Sequence, residues 1–233
     1  MEKENQEKEK EKSFIQKIFN CCCSRLNNEF EIEKKETNKY FENDGDGIIK
    51  DLETREDENT NQICMMGEIL HDTNELQMIA RKINKFTKKL TLNLIYKATA
   101  DSDKAIAFHT KCDNAKSTII LVETDKGKRF GGYTTCSWSG NCLEKKDEDA
   151  FIFSLDKMKT YDNIHGEEAI GCYPKFGPIF LGCQIKIYDN AFSEGGTTYE
   201  KGLNYNTEED FELTGGDRFF KIREVEAYEV IEQ

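Results

Sequence analysis

Apolar residues recur at intervals of three and four at Leu76, Ile79, Ile83, Phe86 and Leu90, with Asp72 or Thr73 standing where a helix cap belongs. This spacing predicts an amphipathic helix leading into a folded domain, with Arg81, Lys82, Lys85, Lys88 and Lys89 on its polar face. Leu92 to Thr99 predicts a strand, with Leu92, Leu94 and Tyr96 on one face and Ile95 on the other. Asp101-Ser102 then predicts an N-cap for a helix from Lys104 to Cys112, in which Ala105, Phe108, His109 and Cys112 share a face. Ser117 to Thr124 is rich in β-branched residues, Asp125-Lys126-Gly127 reads as a turn, and Arg129 to Cys136 returns, so the three predict a hairpin. Further strands are predicted over Ala150 to Leu155, Ile164 to Tyr173, Ile179 to Tyr188 and Phe219 to Val230. The alternation of the last requires a bulge near Arg223 and Glu224. Many strands and few helices predict an α+β, mainly β fold: a two-layer antiparallel β-sandwich flanked by a few helices.

Two glycine-rich segments punctuate this pattern, Phe130-Gly131-Gly132-Tyr133 and Tyr173-Pro174-Lys175-Phe176-Gly177-Pro178-Ile179-Phe180-Leu181-Gly182. Glycines flanked by aromatics predict backbone pressed close to other groups, or bends at positive φ, in a β-rich core. Neither pair of adjacent glycines, Gly131-Gly132 or Gly195-Gly196, opens a predicted helix, so a phosphate cradle lacks its physical basis. Ser137-Trp138-Ser139-Gly140 lacks the strand-elbow-helix frame of a hydrolase nucleophile, and Trp138 is expected to anchor its loop against the sheet.

Several separated blocks occur in a recognisable order: Leu94-Ile95-Tyr96-Lys97-Ala98, Ala107-Phe108-His109-Thr110-Lys111-Cys112-Asp113, Phe130-Gly131-Gly132-Tyr133, Ala150-Phe151-Ile152-Phe153-Ser154-Leu155 and Lys221-Ile222-Arg223-Glu224-Val225-Glu226-Ala227-Tyr228. Over roughly residues 66 to 231 they resemble the TLDc family, the domains of oxidation-resistance proteins and related coactivators. The resemblance implies a helix-flanked β-sandwich and a non-enzymatic interaction role. Its implied partner is the vacuolar-type proton ATPase, bound and regulated in a setting of protection from oxidative stress. The contacts would then be made by the acidic surface and an exposed C-terminal segment rather than by a pocket.

The N-terminal region, residues 1–62, has a different character from the domain expected over 63–233. Its first dozen residues are mostly Glu and Lys, and Glu29 to Glu58 carries twelve acidic residues against five basic, a net of −7. Such composition predicts a disordered acidic extension. Between these stretches Phe14, Ile15, Ile18 and Phe19 form one apolar stripe ahead of Cys21, Cys22 and Cys23, which are candidates for S-palmitoylation. The other reading is a stripe that docks on protein, with incidental cysteines. Glu42 to Glu53 resembles an EF-hand loop through Asp44, Asp46, Gly47, Ile49 and Glu53, against the plainer reading of a solvated acidic loop.

At 233 residues the chain is long enough for one substantial core, and its net charge of −12 argues against a nucleic-acid-binding surface. The nine cysteines accompany no secretory leader pattern, so reduced thiols, a cytoplasmic location and at most peripheral membrane attachment are expected. Cys112, Cys136, Cys142, Cys172 and Cys183 form no Cys-x-x-Cys unit, and no metal or cofactor is expected. His109 and Cys112 lie three apart on a helix, a spacing open to a base-nucleophile pair but favouring buried packing; His165 is expected in a loop without a metal pattern. A monomeric, non-enzymatic protein is the expectation. Two alternatives stand beside it: a thiol-based antioxidant using a reactive cysteine such as Cys112, and a membrane-tethered, calcium-responsive adaptor.

Overall fold

The structure is a computed structural model and describes residues 67–84, 90–164, 168–182, 184–202 and 204–232. In chain order its elements are α1 (Thr73–Asn84), β1 (Leu90–Lys97), α2 (Ala98–Asp101), α3 (Ala105–Cys112), β2 (Thr118–Thr124), β3 (Arg129–Thr134), β4 (Leu143–Lys145) and β5 (Phe151–Ser154). There follow β6 (Lys159–Asp162), β7 (Ile170–Cys172), β8 (Ile179–Phe180), β9 (Ile185–Ile187), α4 (Ala191–Glu194), β10 (Gly196–Thr197), β11 (Phe219–Phe220) and β12 (Ile222–Glu232).

β2 carries four consecutive large apolar residues, Ile119 to Val122, all fully buried. Successive strand side chains point to opposite faces, so such a run demands cover on both. The topology supplies it. β2 sits inside a six-stranded sheet of order β1-β12-β2-β3-β5-β6, and a second six-stranded sheet runs β11-β10-β9-β8-β7-β4, with antiparallel pairings throughout. Ile120, Val122, Phe130 and Ile152 face the second sheet and meet Ile170, Phe180, Ile185 and Ile187 in the sandwich core. Ile119, Leu121, Tyr133, Phe151 and Phe153 face outward, where Ile69, Leu70, Leu76 and Ile79 from the α1 segment cover them. The result is the expected two-layer sandwich flanked by helices, with a third layer laid over one sheet.

Gly131 and Gly132 serve these two faces separately. A Cβ on Gly131 would lie 2.0 Å from the Ile120 carbonyl oxygen and 2.8 Å from the Phe153 ring, whereas one on Gly132 would lie 2.4 Å from the Phe180 ring. Gly132 therefore lets a ring from the opposite sheet rest on the β3 backbone. Trp138 completes this layer: it is wholly buried, donates from Nε1 to Thr118 Oγ1 at 2.9 Å, and meets Phe108 and Phe180 edge-on. The anchoring role expected of it is observed.

The α1 segment is fixed by polar contacts as well as by its apolar face. Asp72 Oδ1 accepts from the backbone N–H groups of Asn74 and Glu75 at 2.7 and 3.0 Å, which is the predicted cap. Glu75 reaches back to the His71 N–H and pairs with Arg129, which also donates to the Ile69 carbonyl. Upstream, buried Glu226 accepts from the N–H groups of Glu68 and Ile69.

The structure departs from the sequence expectations at several points. Leu94 pairs with Tyr228 but Tyr96 pairs with Ala227, so a bulge at Ile95 turns Tyr96 away from Leu92 and into the sandwich core beside Ile95. Leu90 begins β1 rather than ending the helix, and Phe86 lies outside the described residues. α3 has no side-chain cap from Asp101 or Ser102; its Ala105 N–H is met by Asp189 Oδ1, 84 positions later. The expected strand over Ile164 to Tyr173 shrinks to β7, and that over Ile179 to Tyr188 divides into β8 and β9. The bulge near Arg223 is present, as the pairing steps from Ile222–Thr124 to Glu224–Glu123. The C-terminal segment is mostly buried rather than exposed: β12 is the second strand of its sheet, flanked by β1 and β2, with Glu224 to Tyr228 buried and Arg223 and Ile231 exposed.

Candidate functional site

Cys21, Cys22 and Cys23, the Glu42 to Glu53 loop, His165 and Cys183 all lie outside the described residues. The remaining chemical candidates can be placed. His109 is buried on α3, with Nδ1 2.7 Å from Asp113 Oδ1 and Nε2 3.1 and 3.0 Å from the carbonyl oxygens of Tyr173 and Phe176. A carbonyl oxygen only accepts, so Nε2 carries hydrogen and donates there. The ring thereby joins α3 to the second glycine-rich segment. Neither nitrogen is directed at Cys112, which is itself fully buried, and burial pushes that thiol well above its ordinary value. The two residues share a face, as the spacing predicted, and that face belongs to the core.

The other described thiols follow the same physics in graded form. Cys172 is buried and is pushed up to about 11 by desolvation. Cys136 is half-buried, with desolvation and then Asp147 raising it, and its Sγ lies 3.3 Å from the Lys146 carbonyl oxygen. Cys142 is exposed, in a loop where its φ is +57°. A thiolate nucleophile is favoured by a lowered pKa, whereas burial disfavours the thiolate at Cys112, Cys136 and Cys172.

Ser137 and Ser139 lie in the Trp138 loop with their hydroxyl oxygens 2.9 Å apart. Lys145 reaches across from β4 and donates to the Ser137 carbonyl at 2.6 Å and to Ser137 Oγ at 3.1 Å. Sequence spacing gave no hint of this lysine. Both bonds tie β4 to the Trp138 loop. Asp147 secures the same loop from the other side, accepting from Thr134 Oγ1, Thr135 N–H and Oγ1, and Asp149 N–H.

Buried carboxylates were also invisible in the sequence. Glu212 accepts from the Tyr161 hydroxyl at 2.7 Å and from the N–H groups of Glu208 and Glu209, with Lys157 beside it. Burial alone would raise this carboxyl, but those hydrogen bonds outweigh it and hold the group down at about 2. Glu226 goes the opposite way: desolvation dominates the bonds from Glu68, Tyr228 and Ile69 and pushes it up. Both tie irregular chain to the first sheet, one the segment around Glu208 and the other the strap at 67–70.

Among the described residues, no group of three His, Cys, Asp or Glu side chains is arranged to hold a metal ion. No helix among them is long and apolar enough to cross a membrane.

No curated protein matches the chain at a significant level. The family model described as the TLDc domain matches residues 66–231, an interval that opens at the Glu226-clamped strap and ends within β12. That interval spans more than half of the sequence, runs from before α1 to the penultimate residue of β12 and contains the blocks whose resemblance was noted, so the chain belongs to the TLDc domain family.

Proposed function

We propose that this protein is a non-enzymatic TLDc interaction module that binds and regulates the vacuolar-type proton ATPase as part of protection from oxidative stress. Family membership over residues 66–231 carries this reading. It is supported by where the chemistry-bearing side chains point: His109 is bonded to Asp113 and two backbone carbonyls, and Cys112 is sealed in the core. A domain built this way offers surface more readily than a reaction centre. The test is binding of the purified full chain to the soluble catalytic sector of the proton pump at physiological salt, beside a thermally unfolded control. Saturable binding at micromolar concentration or tighter, lost on unfolding, supports the proposal; no binding removes the pump as partner.

Of the alternatives, a thiol-based antioxidant role would have to rest on an exposed cysteine such as Cys142, since Cys112 and Cys172 are both buried and shifted away from thiolate. Attachment to membranes through Cys21 to Cys23 is a separate proposal. Replacing all three by serine should release the protein from the membrane fraction, and an unchanged fraction would remove acylation as the anchor.

A further inference from the structure

A groove of about 530 Å3 opens between α1 and the edge of the first sheet, lined by Asn74, Gln77, Met78, Arg81, Lys82, Met158 and Thr160. Its walls come from distant parts of the chain, α1 on one side and the β5–β6 turn with β6 on the other. Lys82 is ion-paired with Asp162 of β6, which ties the two walls together. Three features distinguish this groove from the surface around it.

The first is charge. The protein carries a net charge of −12, yet the groove lining among the described residues has two cations and no carboxylate; Lys82 is neutralised by Asp162 on the β6 wall, which leaves Arg81 as the cation without a carboxylate partner there. Arg81 is exposed, and its hydrogen bond to Gln77 Oε1 is long, at 3.5 Å. A guanidinium placed in this way is available to a carboxylate approaching from outside.

The second is apolar chemistry of an adaptable kind. Met78 is half-buried at the margin of the α1 core, and Met158 is 46% exposed. Methionine is unbranched and polarizable, and fits itself to partners of varied shape. The third is backbone conformation. Met158 has a φ of +50°, in the left-handed region that side chains other than glycine and asparagine rarely adopt. The turn from β5 to β6 thus accepts a conformational cost at the residue that puts a large apolar side chain into solvent beside two cations.

We propose that the α1–β6 groove is a docking site for a short acidic segment of a partner protein, one that carries an apolar side chain among its carboxylates. The carboxylates meet Arg81, the apolar side chain settles between Met78 and Met158, and Asn74, Gln77 and Thr160 supply hydrogen bonds along the walls. This reverses the electrostatic sense of the expectation that the acidic surface makes the contacts. The proposal rests on the reading of the chain as an interaction module, but it does not depend on the pump being the partner.

The test uses the full chain and a fluorescein-labelled peptide of about 12 residues, made of Glu with two Leu spaced four apart, read by fluorescence anisotropy. Two further peptides replace every Glu by Lys or every Leu by Ser. Saturable micromolar-to-millimolar binding of the Glu/Leu peptide is expected, with weakening of about five-fold or more by Arg81→Glu and separately by Met158→Ser. Lys126→Glu changes an exposed cation on a different turn, one paired with Asp217, and is expected to leave binding unchanged. Circular dichroism of each variant separates loss of binding from loss of fold. Equal binding of the Lys peptide, or binding indifferent to Arg81→Glu in a folded variant, overturns the proposal. So does Arg81-dependent self-association in sedimentation, which would assign the groove to a second copy. Assaying the same variants against the pump sector separates the two readings: pump binding without peptide binding defeats the groove alone, and peptide binding without pump binding defeats the pump alone.

Discussion

Gly132 shows how much of this fold can depend on one missing methyl group. The Phe180 ring occupies the place a Cβ would take, and it is held there by edge contacts with Trp138 and Tyr205, so it has no space into which to retreat. Gly132→Ala should therefore cost about 1–3 kcal/mol through overpacking, read as a lower denaturant midpoint at unchanged slope. Gly202→Ala is the matched control, because nothing lies within 4 Å of its Cβ position and only its φ of +70° is at issue; about 1 kcal/mol is expected there. The sequence announced this glycine through its aromatic neighbours. It could not say which ring would lie on it, since Phe180 reaches β3 from the other sheet.

At the scale of elements, legibility followed the length and amphipathicity of each segment. The β2–β3 hairpin and α1 were readable because apolar runs and a cap residue state them locally. Asp72→Ala should cost about 1 kcal/mol by leaving the first-turn N–H groups unmet, measured by thermal or denaturant unfolding, while an exposed mid-helix change such as Gln77→Ala should cost little. β4, β6 and β10 were missed because they are short and mostly polar: Lys159-Thr160-Tyr161-Asp162 has one buried residue, and its strand state comes from pairing with β5. The reversal of Tyr96 was hidden for a different reason. A bulge changes the meaning of every alternation after it, and the Leu-Ile-Tyr run reads equally well either way. The candidate groove lay beyond sequence reading altogether, since Met78 and Met158 are eighty positions apart and meet only after α1 has settled beside β6.

For the whole molecule, two of the shifted carboxylates, Glu212 and Glu226, give stability an opposed dependence on pH. Glu212 has a depressed pKa in the folded state, so its contribution is fully present above the ordinary value of 4.5 and is lost as pH falls toward about 2. Glu226 has a raised pKa, so its contribution is present below 4.5 and is lost as pH rises through that higher value. Glu212→Gln should accordingly destabilise the protein at pH 6, and the gap from the parent should close as pH is lowered from 4.5 to 2; a pH series of melting temperatures reads this directly. A gap that stayed constant across that range would disprove the assignment. The buried position of β12 has a consequence of another sort, in time rather than in energy. β12 supplies the strand between β1 and β2, and it reaches back across 125 positions to Thr99 and 158 to Glu68. While the ribosome is still making the chain, β1 has no partner, and the two-faced apolar run of β2 has a neighbour only in β3. The sheet closes when β12 emerges, so the nascent domain passes through a long interval in which its most aggregation-prone edge is uncovered, a stage at which chaperones would have the most to protect.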